Sequence, residues 1–258
     1  MRVFQEADVA RVWPSPDDQA DKYARGVVGI DTGSKRYPGA GVLSVLGALN
    51  AGAGFIRFAG PKAVCRALLA VAPSVTHGTG QVSVWLAGSG WDETDPANKP
   101  RLEKLLADDV PMVLDAGAFW VMPERLPAGS LLTPHAGELS RLLGITRDEV
   151  EREPVECALE AARKWDSCVI LKGHQQYVAS PSGKVSQAVT GPVWTAQAGS
   201  GDVMAGIAAS LMAQGADACQ AGVLAASVQA MTASRHLGPY PPNVLASFMP
   251  SVIASLTR

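Results

Sequence analysis

From Val27 onward, short apolar runs alternate with longer segments of helical periodicity, and this alternation limits the fold more than any other feature of the chain. Val27-Val28-Gly29-Ile30, Phe55-Ile56-Arg57-Phe58, Val82 to Ala87, Met112 to Asp115, Leu131 to Thr133 and Cys168 to Leu171 read as buried strands. Helices are expected from Ala40 to the glycines Gly52 and Gly54, and over Val64 to Ala72, Arg101 to Ala107 and Val155 to Trp165. Strand–helix–strand units make parallel sheets, so the expected class is α/β, with a mostly parallel central sheet and helices on both faces. Tyr177-Val178-Ala179 and Val185 to Val189 flank the turn Pro181-Ser182-Gly183-Lys184 and read as a hairpin. Val203 to Gln214, Ala216 to Ala233 and Val244 to Leu256 read as three closing helices. Residues 1 to 24 are mixed and polar, and suit a short helix or strand on the outside. No linker, repeat or low-complexity segment divides the sequence. Residues 1 to 258 are therefore expected to form one domain, with 1 to 25 as an extension packed on it.

Composition excludes several roles. The chain is 47% hydrophobic and 18% charged, which suits a filled α/β core. A formal net charge of −2 gives no reason to expect a nucleic-acid or membrane partner. No apolar run approaches the roughly 20 residues that span a bilayer, and Met1 to Asp8 lack an apolar signal core. Cys65, Cys157, Cys168 and Cys219 are scattered without metal spacing. They read as reduced and mostly buried, which points to the cytoplasm.

In an open parallel sheet, ligands bind beyond the carboxyl ends of the strands. Ser34, Tyr37, Gly88, Asp115, His135 and Lys172 fall there. The glycines do not form Gly-x-Gly-x-x-Gly, so a Rossmann dinucleotide site is not supported. The sharpest stretch is Ala198-Gly199-Ser200-Gly201-Asp202-Val203. Gly199, Ser200 and Gly201 start a helix whose first N–H groups lack partners, and such a start binds anions. Glycine lets a phosphate come close to the backbone. Asp202 stands beside that anion and could take a proton from a nucleophile. The plain alternative makes Asp202 a first-turn helix residue and the glycines a turn. His135 could likewise be a structural histidine, Asp115 a turn cap and Lys172 a solvated strand end. Cys168 reads as core rather than nucleophile, and His77 and His236 as structural or exposed.

Taken together, the motifs resemble one family. Tyr37-Pro38-Gly39-Ala40, Ala51-Gly52-Ala53-Gly54, Leu114-Asp115-Ala116-Gly117-Ala118, Leu132-Thr133-Pro134-His135-Ala136-Gly137-Glu138, Leu171-Lys172-Gly173 and Ala198 to Val203 occur in the order seen in the ADP-dependent NAD(P)H-hydrate dehydratases. These are ribokinase-like enzymes with a carbohydrate-kinase-like domain. The resemblance implies a lyase of nicotinamide-nucleotide repair. It would dehydrate hydrated NADH or NADPH (NADHX, NADPHX) with ADP as co-substrate, releasing AMP and phosphate. It implies that Ala40, Gly88, His135 and Asp202 contact the hydrated dinucleotide. It implies that Lys172, Gly173, His174, Gln175, Gln176 and Gly201 hold the adenine nucleotide, with its phosphates on Gly199 to Gly201. Asp202 would be the catalytic base. Mg²⁺ would bridge the phosphoryl oxygens, though no residues are singled out as its ligands. Family members are often homo-oligomers, and the apolar C-terminal helices would allow one here. The epimerase activity joined to some members, where it is present, is expected in another chain.

The chain departs from the family's usual pattern in several places. Pro192-Val193-Trp194 replaces Asn-Pro-Gly, and Gln229-Ala230-Met231 stands where many members carry His-Gly. Asp115-Ala116-Gly117-Ala118-Phe119-Trp120 stands against Asp-Ala-Asp-Ala-Leu-Asn, and Gly88-Ser89-Gly90 lacks a preceding Gly-Pro. One rival reading is a ribokinase-like kinase acting on a vitamin precursor with ATP. Such kinases have related Thr-Pro-Asn-x-x-Glu stretches, so His135 is the discriminating residue. A second rival is a catalytically weak nucleotide-binding or regulatory protein.

Overall fold

A computed structural model describes residues 1–15 and 18–257. Its elements run β1 (Arg2–Val3), α1 (Glu6–Val12), β2 (Val27–Asp31), α2 (Pro38–Asn50), β3 (Phe55–Phe58), α3 (Lys62–Val71), β4 (Thr76–His77), β5 (Val84–Ala87), α4 (Asn98–Leu106), β6 (Met112–Leu114), β7 (Leu131–Leu132), α5 (Ala136–Leu143), α6 (Arg147–Arg152), α7 (Pro154–Lys164), β8 (Cys168–Leu171), β9 (Tyr177–Ala179), β10 (Val185–Gln187), α8 (Ser200–Ala213), α9 (Ala218–Arg235) and α10 (Pro242–Leu256). The strands form one sheet in the order β1-β10-β9-β8-β7-β6-β5-β2-β3-β4. From β4 to β8 every pairing is parallel, and β9 is antiparallel to both β8 and β10. The expected α/β class, mostly parallel sheet and hairpin are all present.

Side-chain alternation along the strands builds two cores. Val28 and Ile30 of β2, with Val84 and Leu86 of β5, face α2, α8 and α9. Val27, Trp85 and Ala87 face the layer of α4, α5 and α7. Helices thus cover both faces. The first layer is unusually close where α2 meets α8. A Cβ on Gly47 would sit 2.2 Å from Val203 O, and one on Gly206 would sit 2.0 Å from Ser44 O. Only glycine lets the two backbones touch there, and the contact holds the first turns of α8 against α2.

Three local differences from the sequence reading have physical causes. Helices α5 and α6 fill the connection between β7 and Pro154, where the sequence reading places a helix start after His135 but bounds no helix before Val155. Both start with a capping box, His135 with Glu138 and Thr146 with Glu149. The N-terminal segment does more than pack outside, because β1 adds to the sheet edge beside β10. The reduced state expected of all four cysteines is corrected for one pair. Cys168 and Cys219 form a disulfide joining the starts of β8 and α9, with Cα atoms 5.5 Å apart. They are separated by 51 residues in sequence, so spacing could not reveal the pairing. Cysteine usage therefore no longer bears on compartment. Among the described residues, no helix is long and apolar enough to cross a membrane.

Candidate active site

The site lies beyond the carboxyl ends of β5 to β8. Pairing continues one step past β7 and β8, where His135 bridges Lys172 in parallel and Lys172 N donates to Pro134 O at 2.8 Å. Asp115 follows β6 and is 2% exposed. Its Oδ1 accepts from Lys172 Nζ at 2.7 Å and Thr133 Oγ1 at 2.8 Å, and its Oδ2 from Ser89 Oγ at 2.8 Å. Glu138, in the first turn of α5, lies 3.9 Å from Lys172 Nζ. Its Oε2 accepts from His135 N at 2.8 Å.

Asp202, in the first turn of α8, shares this field. Burial raises its pKa first, and the charges of Asp115 and Glu138 raise it further. The Lys172 ammonium pulls the other way, and the result is about 7. Burial also leads the rise at Glu138, where the Asp115 charge adds to it and Lys172 opposes it. Burial would lower the pKa of Lys172, but the carboxylates of Asp115, Glu138 and Asp202 outweigh it and keep the ammonium charged. A carboxylate poised near neutrality can take up and release a proton at working pH.

Gly199 precedes α8 at φ 93°, a conformation suited to glycine, and no side chain caps the helix. The N–H groups of Gly201 and Asp202 have no acceptor among the described residues. Gly201 lines a cleft of about 410 Å³ whose walls also include Lys172, His174, Gln176, Ser200 and Gln229, with Asp202 next to it in sequence. A second cleft of about 550 Å³ shares His135, Lys172, Gly173 and His174, and continues to Gln175, Tyr177 and Arg147. Gln175 Oε1 accepts from Tyr177 Oη at 2.5 Å.

His135, Lys172, Gly173, His174, Gln176, Ser200 and Gly201 therefore meet at one cleft, with Asp202 beside it and Gln175 in the next. Gly199 sets the helix entry. Ala40 and Gly88 line neither cleft and lie further along the edge. Ala40 is buried in the first turn of α2 against Gly90, where an added Cβ would stand 2.3 Å away. Gly88 has φ 105°, and a Cβ there would stand 2.0 Å from Asp115 O. Sequence reasoning assigned no role to Ser89, Thr133 or Gln229. Ser89 and Thr133 sit just beyond strands, which was a usable signal. Gln229 sits inside α9, where the sequence marked it only as part of the stretch that stands in place of the family's His-Gly.

The open sheet, the glycine-started helix and the buried acid–lysine cluster define a ribokinase-like α/β protein. The model of the NAD(P)H-hydrate dehydratase family matches residues 28 to 247, and the chain belongs to that family. It is 35% identical over 221 residues to a bifunctional NAD(P)H-hydrate repair enzyme of Mycobacterium tuberculosis, covering 82% of this chain and 46% of that protein. The chain thus spans about half the length of such bifunctional relatives. It is 34% identical over 256 residues to an ADP-dependent (S)-NAD(P)H-hydrate dehydratase of Xanthomonas campestris, covering 90% and 87% of the two chains. In fold it is similar to the crystal structure of the ADP/ATP-dependent NAD(P)H-hydrate dehydratase from Bacillus subtilis co-crystallized with ATP/Mg²⁺. That match has a TM-score of 0.91 at 24% identity and covers 99% and 98% of the chains.

Proposed function

We propose that this chain is a lyase of nicotinamide-nucleotide repair, acting as one catalytic domain to dehydrate hydrated NADH or NADPH at the expense of ADP. The observation that carries the reading is the Asp202 carboxylate, poised near pH 7 beside two unpartnered N–H groups. The ADP phosphates lie on Gly201 and Asp202 N–H, along the cleft of Lys172 to Gln176. Asp202 removes the proton of the hydrate hydroxyl, and the freed oxygen attacks the β-phosphorus. The bond to the bridging oxygen breaks and AMP leaves. Phosphate then departs from the ring carbon while the neighbouring carbon loses a proton, which restores the dihydropyridine. Backbone donors and the Lys172 charge stabilise the phosphoryl oxygens. Ala40, Gly88 and His135 hold the dinucleotide.

Mg²⁺ fits this site as a passenger of the nucleotide. Among the described residues, no three His, Cys, Asp or Glu side chains converge on a cation position. Asp115 spends both oxygens on Lys172, Thr133 and Ser89. A metal held mainly by phosphates and water would find its nearest protein oxygens on the Glu138 and Asp202 carboxylates. Such an ion neutralises phosphate charge.

The test is incubation with hydrated NADH plus ADP or ATP, following the absorbance of the dihydronicotinamide. A rise dependent on nucleotide supports the reading. Phosphorylation of a hydroxymethyl vitamin precursor, with the hydrate untouched, replaces it by the kinase.

A further inference from the structure

Gln229 lies inside α9, is 7% exposed, and forms part of the wall of the 410 Å³ cleft. Its Nε2 donates to Ser200 O at 2.9 Å. A peptide carbonyl can only accept, so the amide must present its NH₂ to Ser200, and the two ends of the side chain are fixed. Oε1 then has no donor among the described residues. Nor is it one of the buried polar atoms sealed away from solvent without a partner. The side chain is thus a braced amide with an open acceptor at the cleft.

The identity of the missing donor follows from position. This step rests on the nucleotide reading above, with phosphates on the N–H groups of Gly201 and Asp202. Gln229 braces Ser200, the residue before those groups. Ionised phosphates offer no donor. The first donors along a nucleotide beyond its phosphates are the ribose hydroxyls, one methylene further on. Val193, Ala196 and Met204, which line the same cleft, offer apolar side chains instead. We propose that Gln229 Oε1 accepts a hydrogen bond from a ribose hydroxyl of the bound nucleotide, which makes the cleft selective for ribonucleotides over deoxyribonucleotides.

Calorimetry with ADP, 2′-deoxy-ADP, 3′-deoxy-ADP and IDP tests this on the wild-type chain and on Gln229→Leu and Gln229→Met. The wild type should bind one deoxy analogue about two- to tenfold more weakly than ADP, the worth of one neutral hydrogen bond. In the variants that ratio should fall to one, even where loss of the Ser200 brace weakens all nucleotides alike. A merely structural Gln229 would lower every affinity and leave the ratio unchanged, which overturns the proposal. Equal wild-type affinity for ADP and both deoxy analogues also overturns it, and needs no variant to fold. Collapse of the ADP-to-IDP ratio alone would assign the contact to the base amine instead and overturn it. Absence of any ADP binding to the wild type would overturn the nucleotide reading of the cleft, and this proposal with it.

Discussion

Lys172 Nζ lies 2.7 Å from Asp115 Oδ1 although their strands, β8 and β6, are not neighbours in the sheet. The pair reaches across the end of β7, and Thr133, just beyond that strand, donates to the same Oδ1. One ammonium is thereby held among the three carboxylates of Asp115, Glu138 and Asp202. Asp115 accepts three hydrogen bonds, while Glu138 and Asp202 share the same ammonium from farther away. Burial leads the rise of both carboxyls, and the excess of negative charge adds to it.

Asp202→Asn should abolish turnover and spare ADP binding. Loss of a general base costs about 10²- to 10⁴-fold. In the wild type the base must be ionised, so kcat/KM, which reports the free enzyme, should rise with pH through about 7. Stability should move the opposite way. The folded pKa lies above the usual 3.8, so between about 4 and 7 the folded state holds a proton that the unfolded state has lost. Stability therefore falls as pH rises through that window. Asp202→Asn should be more stable than wild type at pH 8, by at most about 4 kcal/mol, with the gap closed by pH 4. Melting curves and a pH–rate profile check both halves. Activity within a few-fold of wild type removes Asp202 from the mechanism.

Lys172→Met should do two separable things. It removes the one cation that lowers the Asp202 pKa, so the midpoint of any residual pH–rate profile should move above 7. It also leaves Asp115 and Glu138 buried without a counter-charge. Breaking a buried pair in this way costs about 3–5 kcal/mol. Denaturant titration measures the loss. A midpoint that stays at 7 would show that Lys172 does not act on Asp202.

The sheet was legible because each strand is a short apolar run between helical segments, as at Val27 to Ile30 and Phe55 to Phe58. The location of the site was legible too, since Asp115, His135 and Lys172 all stand just beyond strands. What escaped was the partnering. Nothing in the sequence says that Ser89 and Thr133 would donate to Asp115, because residues 26 and 18 positions away in sequence meet only through sheet order. Gln229 escaped for a similar reason, as its contact with Ser200 crosses two helices. The disulfide escaped because it depends on where α9 starts against β8.

Gly47→Ala should lower stability by about 1–3 kcal/mol, the usual cost of overpacking, or by more if the helices cannot part. The added carbon meets Val203 O, next in sequence to Asp202, at 2.2 Å. Relief by moving α8 would shift Asp202 as well, so kcat should fall alongside Tm. Gly39→Ala is the control, because a Cβ there meets nothing within 4 Å. Equal Tm values for the two variants would contradict the close α2–α8 contact.

His135 does two jobs that a suitable substitution separates. Its Nδ1 accepts from Gly137 N at 3.0 Å and Glu138 N at 3.2 Å, which caps α5. An accepting Nδ1 carries no proton, so the neutral ring holds its proton on Nε2. Nε2 lies 3.6 Å from Glu138 Oε1, and the side chain is 58% exposed where both clefts meet. His135→Ala removes cap and ring together, and the lost cap alone costs about 1 kcal/mol. Asparagine is also a good N-cap, so His135→Asn should keep Tm close to wild type while removing the imidazole. For a dehydratase, His135→Asn should lower kcat/KM for the hydrate about tenfold, the worth of one hydrogen bond, with ADP affinity nearly unchanged. Steady-state kinetics with hydrated NADH, and calorimetry with ADP, give the two numbers. Loss of ADP affinity with hydrate use intact would place His135 on the nucleotide instead. Wild-type activity in His135→Asn would leave the residue with capping as its only role.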